Sequence, residues 1–176
     1  MADNSVGKVI QATGDAVAVS DGTSRVLNSG SEIFKGDVLV TKQGSSLEIL
    51  FKDNTSLAQS ENSEIQVDNY VCDPDDASNS DLLLNMSKGI FRTITGEIAE
   101  KNPDHFQLKS PLATIGIRGT TVVSEVGDDT ERHGVEEIGT DKVLVVQDNM
   151  GNIQFISQPR LVVDFIRGQA ISPPVF

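Results

Sequence analysis

The sequence predicts an all-β fold of many short strands, and three observations carry that expectation. Apolar residues recur with period two in segments such as Ala16–Ser20 (AVAVS) and Ser46–Phe51 (SLEILF), the pattern of half-buried strands. Turn signals separate these segments at short intervals, among them Asp21-Gly22, Gly36-Asp37 and Asn149–Gly151. Apolar residues make up 38% and aromatics 5%, with no tryptophan, which suits thin layers filled by Val, Ile and Leu. At 176 residues the chain can hold one domain with a real core, or one domain plus an appendage.

Taken in order, Val6–Gln11 and Ala16–Ser20 read as strands on either side of Thr13-Gly14-Asp15. Asp21-Gly22 then turns the chain into Ser24–Leu27. Gly36-Asp37 introduces the strand Val38–Thr41, and the Asp37 carboxylate is expected to bond nearby backbone amides rather than to act in catalysis. Residues 45–70 hold a degenerate repeat, SSLEILFKD, NTSLAQSEN and SEIQVDNY, with Asp53-Asn54 and Glu61-Asn62 at its corners. Such a repeat fits the hairpins of an irregular sandwich as well as the coils of a β-solenoid. Leu47, Ile49 and Phe51 alternate toward one buried face.

Leu82–Ser87 and Ile90–Thr95 are predicted as strands flanking Lys88-Gly89, the leucines at 82–84 suggesting burial on both faces. One short helix is expected near residues 96–101, capped by Thr95 and ended by Asn102-Pro103. Phe106 and Leu108 reopen the strand pattern, and Thr120–Val126 continues it. Gly127–Gly139 (GDDTERHGVEEIG) reads as an acidic loop or long hairpin tip. Val143–Gln147 and Ile153–Ile156 form a hairpin about Asn149–Gly151, and Leu161–Ile166 is a last strand before the linker-like SPPVF. The organisation predicted is a leader at 1–5, a β core at 6–125, β hairpins at 126–172 packed on or extending it, and the start of a linker at 173–176.

The stretch Ser110–Val122 (SPLATIGIRGTTV) combines Pro111, two glycines, an arginine and β-branched residues. Gly116 and Gly119 allow backbone angles or close approaches closed to other residues. Ile115 and Ile117 flank the first glycine at strand spacing and face one side. Arg118, among apolar neighbours, is expected to hold several backbone carbonyls as an internal clamp, with Thr120 following. The other use of this segment would be an anion-binding nest from Gly116 to Thr120, although no strand-then-helix phosphate pattern surrounds it.

These residues resemble the signature of the FecR-protein family, an extracytoplasmic domain named for the ferric-citrate transport regulator. VLNSGSEIFKGDVLVT at 26–41, SLEILFKDNTSL at 46–57 and GIFRTITGEIAEKNPD at 89–104 fit the same family, so the resemblance covers about residues 6–125. It implies a β-rich, non-catalytic interaction domain on the outer side of a bacterial membrane, periplasmic or secreted. Family members in iron-uptake signalling carry a membrane helix and a cytoplasmic anti-sigma segment before this domain. A protein partner is expected, captured as an extended segment by strand addition.

Composition bounds the other classes. Asp and Glu number 26 against 14 Lys and Arg, and the net charge of −12 opposes nucleic acid and anionic lipid. MADNS at the start is no secretory signal pattern, and no apolar run reaches spanning length. Cys72 is the only cysteine, which excludes an intrachain disulfide, and its acidic neighbours argue for a half-buried apolar role. Asp73, Asp75, Asp76 and Asp81 suggest Ca2+, but their loop lacks the glycine and distal glutamate of an EF-hand and is expected to be solvated. His105 and His133 are expected at ordinary polar positions, because no spacing makes them a zinc pair. With no nucleophile elbow, phosphate loop, dinucleotide fingerprint or HExxH pair, the sequence does not read as an enzyme. An alternative is the leading domain of a large secreted adhesin exported without a cleaved signal peptide. A carbohydrate-binding module would need an exposed aromatic platform, for which Tyr70 is the residue to examine.

Overall fold

The computed structural model describes residues 4–73, 75–117 and 119–176. Strands dominate, as the alternation requires, and the described residues hold sixteen of them with a single α-helix. The chain moves between two layers. β1 (Ser5–Thr13) lies in the first, and β2 (Ala16–Ser20) and β3 (Thr23–Val26) form a hairpin in the second. β4 (Glu32–Phe34) returns to pair with β1, and β5 (Val38–Thr41) pairs with β2. β6 (Ser46–Phe51) and β7 (Ser56–Gln59) make the next hairpin of the first layer, and β8 (Ser63–Val71) crosses back to β5.

β9 (Asp81–Ile94) belongs to both layers. Its residues 81–88 pair with β8, and 82–85 also with the later strand β10 (Phe106–Lys109); residues 89–94 pair with β12 (Thr120–Val126), and 91–94 with β7. After the helix α1 (Glu97–Lys101), β10 and β11 (Ala113–Gly116) extend the second layer. β12 and β13 (Thr130–Ile138) extend the first, β14 (Leu144–Asp148) and β15 (Ile153–Ile156) the second, and β16 (Val162–Ile166) closes the first. The first layer runs β4-β1-β6-β7-β9-β12-β13-β16 and the second β3-β2-β5-β8-β9-β10-β11-β14-β15. Only β9 and β10 pair in parallel among these strands. Of the two arrangements open from the sequence, this is the irregular sandwich; stacked parallel coils are not formed by the described strands.

The two strands expected on either side of Lys88-Gly89 are one strand, β9, kept continuous through a kink there. Gly89 has φ +116°, and a Cβ there would lie 2.6 Å from the Cα of Ser63. Glycine thus lets one strand bend against β8 and change layers without ending.

The core lies between the layers. Phe51, Phe91 and Phe106 are fully buried with Ile49, Leu57, Ile65, Leu82 and Leu84, each contributing on the order of 1.5–3 kcal/mol on burial. Leu83 is only half-buried, on the outer face of β9, so the leucine run is not covered on both sides. Phe51 of the first layer stacks on Tyr70 of the second at 5.6 Å between centroids. Gln59 reaches across, its Nε2 donating to the Leu39 carbonyl at 3.1 Å and the Ser63 carbonyl at 2.9 Å.

Two further expectations are corrected. Residues 130–138, read from sequence as loop or hairpin tip, are strand β13, held between β12 and β16. Glu131, His133 and Val135 point inward with period two while the charged Arg132 and Glu136 point out, so the alternation survives beneath an acidic composition. Thr95 does not cap α1. The cap is remote: Asp53, at the β6–β7 corner, accepts from the Ile98 amide at 3.2 Å, and its carbonyl accepts from Glu97 at 2.8 Å. Thr55 donates its hydroxyl to the same carboxylate at 2.7 Å, and Tyr70 donates at 3.3 Å.

Candidate functional site

The signature segment enters through Ser110-Pro111-Leu112 and becomes β11, an interior strand between β10 and β14. Ile115 and Ile117 are buried on one face, as their spacing predicts. Pro111 is exposed, its carbonyl accepting from Asn149 Nδ2 at 2.8 Å. Arg118, the expected clamp, lies outside the described residues. Gly119 has φ +55°, beside the stem of Lys142. Gly116 differs: its φ is not positive, and a Cβ would meet nothing within 4 Å, so neither backbone angle nor crowding requires glycine there. Thr120 opens β12, its amide donating to Thr95 Oγ1 at 3.1 Å while the Thr95 hydroxyl donates to the Thr120 carbonyl at 3.3 Å.

The clamp that the described residues do show is one that spacing alone did not announce. Glu131 and His133, two apart on β13, share its inner face, which was the available signal. The Glu131 carboxylate accepts from the Ser110 hydroxyl and, at 2.9 Å, from the Leu112 amide. His133 Nε2 lies 2.9 Å from Glu131 and Nδ1 lies 2.9 Å from Ser124 Oγ. The tautomer that satisfies both neighbours donates from Nε2 to Glu131 and accepts at Nδ1 from the Ser124 hydroxyl. The imidazole edge packs on Phe165 at 5.4 Å. A serine–histidine–carboxylate row is also the constellation of hydrolytic nucleophiles. Here Ser124, His133 and Glu131 are 1%, 0% and 3% exposed, and the row joins the signature segment of one layer to β13 of the other.

The acidic loop is self-satisfied. Asp73 Oδ1 accepts from the Asp75 amide at 2.9 Å and the Asp76 amide at 3.2 Å, and Asp76 accepts from Ser78 and Asn79. Asp81 instead faces His105 Nδ1 at 3.0 Å. Among the described residues, no three His, Cys, Asp or Glu side chains converge on a metal position. Cys72 is half-buried against the core. Tyr70 is 7% exposed, and burial first, then the Asp53 charge, raises its hydroxyl pKa, so it offers no glycan platform. Asp37 behaves as expected of a turn carboxylate. It accepts from the Phe34 amide at 2.8 Å and pairs with Arg25, whose pKa this hydrogen bond raises and whose guanidinium lies 5.1 Å over the Phe34 ring.

Sheet edges are where recognition has room. In the first layer, β4 has Glu32 and the adjoining Lys35, and β16 carries Asp164 and meets Val175 through both backbone bonds of Val162. In the second layer, β3 carries Arg25, whereas β15 (IQFI) has no charge, proline or glycine. Phe155 is 61% and Ile153 47% exposed on this edge, with Met150 at the turn before it. The turn is rigid. Asp148 accepts from the Met150 and Asn152 amides, from Asn152 Nδ2 and from the Ile171 amide. Desolvation opposes its ionisation, but these donors prevail and hold its pKa down to about 2.

Three comparisons bear on this chain. The family model described as FecR protein matches residues 37–137, more than half of the sequence and spanning β5 to β13. The chain belongs to the FecR protein family. Crystal structures of a "putative anti-sigma factor" from Parabacteroides distasonis ATCC 8503, at 1.65 and 2.50 Å resolution, share the fold with TM-scores of 0.58 and 0.59 at 11% identity. The match covers 77% of this chain and 57% of the Parabacteroides chain, so this chain spans little more than half of that protein. A search of curated proteins finds no match. No helix among the described residues is long and apolar enough to cross a membrane, which says nothing of spanning by strands.

Proposed function

We propose that this chain is a non-catalytic regulatory domain of the FecR type, acting outside the cytoplasm by binding a protein partner along the free edge of β15. The observation that carries this reading is the uncharged β15 edge with Phe155 and Ile153 exposed. Natural edge strands are blunted by charge, proline or cover, and an edge lacking all three is a template for another strand. Main-chain bonds supply the attachment, and the two apolar side chains select the partner's residues. Membership of the FecR family supports the regulatory role, and the anti-sigma description of the Parabacteroides protein fits a signal passed by protein contact. The −12 charge disfavours nucleic acid as the partner. No observation favours the adhesin alternative.

The test places Phe155→Lys and Ile153→Lys together in the protein and follows a transcriptional reporter of the response that depends on it. Both positions are exposed, so the variant should melt within about 0.5 kcal/mol of wild type per site. Loss of the regulated response in a folded variant supports strand addition at β15. An unchanged response overturns it.

A further inference from the structure

A trough of about 510 Å³ crosses the outer face of the second layer, lined by Gln107 of β10, Thr114 and Gly116 of β11, and Val145 and Gln147 of β14. Gly116 sits in the middle of it. In register it lies between Gln107 and Val145, and Val145 lies in turn beside Phe155. Glycine weakens a strand interior and is retained where a turn, a crowded contact or an approaching backbone or ligand needs it. The first two are absent at Gly116. What remains is the open space itself. Any side chain there would stand outward and fill the trough.

Asp104 and Asp141 line the same trough. Both are exposed, and no salt bridge joins either to a described residue. The described lining includes no Lys, Arg or His. Among the described strand residues of this face, Lys109 is the nearest cation in register, opposite Thr114 and two residues along from the Gln107–Gly116 pair. A second copy of a chain with net charge −12 is a poor occupant of an acidic trough.

We infer that the trough over Gly116 receives an arginine side chain from an extended segment of the protein partner. The planar guanidinium can lie flat on the bare backbone of Gly116, where no Cβ intervenes, and donate to the Asp104 and Asp141 carboxylates and the Gln107 amide oxygen. This rests on the partner-binding reading above and adds to it the partner's chemistry, at a surface two strands in from the β15 edge.

The test is an NMR titration of the 15N-labelled chain with the blocked peptide acetyl-Val-Thr-Val-Arg-Val-Thr-Val-amide and its citrulline counterpart. Shifts at Gly116, Gln107 and Val145, at least fivefold weaker in apparent affinity for citrulline, and lost in Gly116→Val, support the proposal. Gly116→Val has open space around its Cβ, and its unchanged spectrum elsewhere shows that it folds. Asp104→Asn with Asp141→Asn provides a second variant and should remove the preference for arginine over citrulline. Equal affinity for the two peptides, or binding indifferent to Gly116→Val, overturns the trough. Shifts confined to β15 overturn it too while leaving strand addition standing, and shifts in the trough without β15 do the reverse. Concentration-dependent broadening at Gly116 without peptide identifies a second copy as occupant and overturns the arginine assignment.

Discussion

Glu131→Gln is the substitution that most directly probes how the signature segment is fixed. The carboxylate side chain is wholly buried and accepts from three donors: the Ser110 hydroxyl, the Leu112 amide and His133 Nε2. Glutamine keeps one acceptor oxygen and presents an NH2 group in place of the other, so either the Leu112 amide faces that NH2 or Ser110 and His133 must both turn to accept from it, and the charge that strengthened all three bonds is lost. A hydrogen bond to a charged group contributes roughly 1.5–3 kcal/mol, and an unsatisfied buried donor costs roughly 1–3 kcal/mol. The expected loss is therefore about 1.5–3 kcal/mol, or a fall in Tm of roughly 3–12 °C for a chain of this size. Urea unfolding followed by circular dichroism measures it. Glu136→Gln is the control, because its partner Arg92 and Glu136 itself are exposed, and it should cost no more than about 1 kcal/mol. If Glu131→Gln unfolds within about 1 kcal/mol of wild type, the two layers are not joined through this carboxylate and the clamp is wrong.

Other perturbations follow from the same structure. Asp148, with its pKa held at about 2, contributes stability that is complete above the unfolded value near pH 4 and disappears as pH falls through 2. Asp148→Asn should therefore lower Tm at neutral pH and flatten the loss of Tm between about pH 4 and 2; an acid limb as steep as wild type would refute this. Gly89→Val must relieve a Cβ placed 2.6 Å from the Ser63 backbone at φ +116°, and it should cost about 3 kcal/mol or more in chemical unfolding. A variant as stable as wild type would show that β9 does not depend on that kink. Low-millimolar calcium should leave the melt within a degree or so, because Asp73 and Asp76 already serve turn amides; a rise of several degrees would identify a bound cation.

The strands whose apolar residues alternate cleanly were legible, since burial of one face imposes that pattern. Leu47, Ile49 and Phe51 of β6, Phe106 and Leu108 of β10, and the β14–β15 hairpin all lie where alternation puts them. β13 was hidden because its inward positions include Glu131 and His133, polar residues whose partners lie on other segments. The break at Lys88-Gly89 is legible, but a local signal cannot tell two strands from one strand that bends to change layer. The cap of α1 was misplaced for a similar reason: Asp53 is 45 residues from the amide it serves, while Thr95 stands beside the helix. Of the site, the signature was legible as a motif. The edge at β15 was not, because exposure of Phe155 depends on which strand is last in its layer.

One strand common to both layers also constrains how the chain reaches its shape. Everything before β9 lies to one side of it in each layer, and everything after α1 lies to the other. During synthesis the first eighty or so residues therefore emerge as two half-sheets whose inner rims await a single late arrival, and only then can the remaining segments dock. A chain interrupted before that point would present two adhesive rims at once, which makes rapid completion, or a chaperone at those rims, a condition for its safe production.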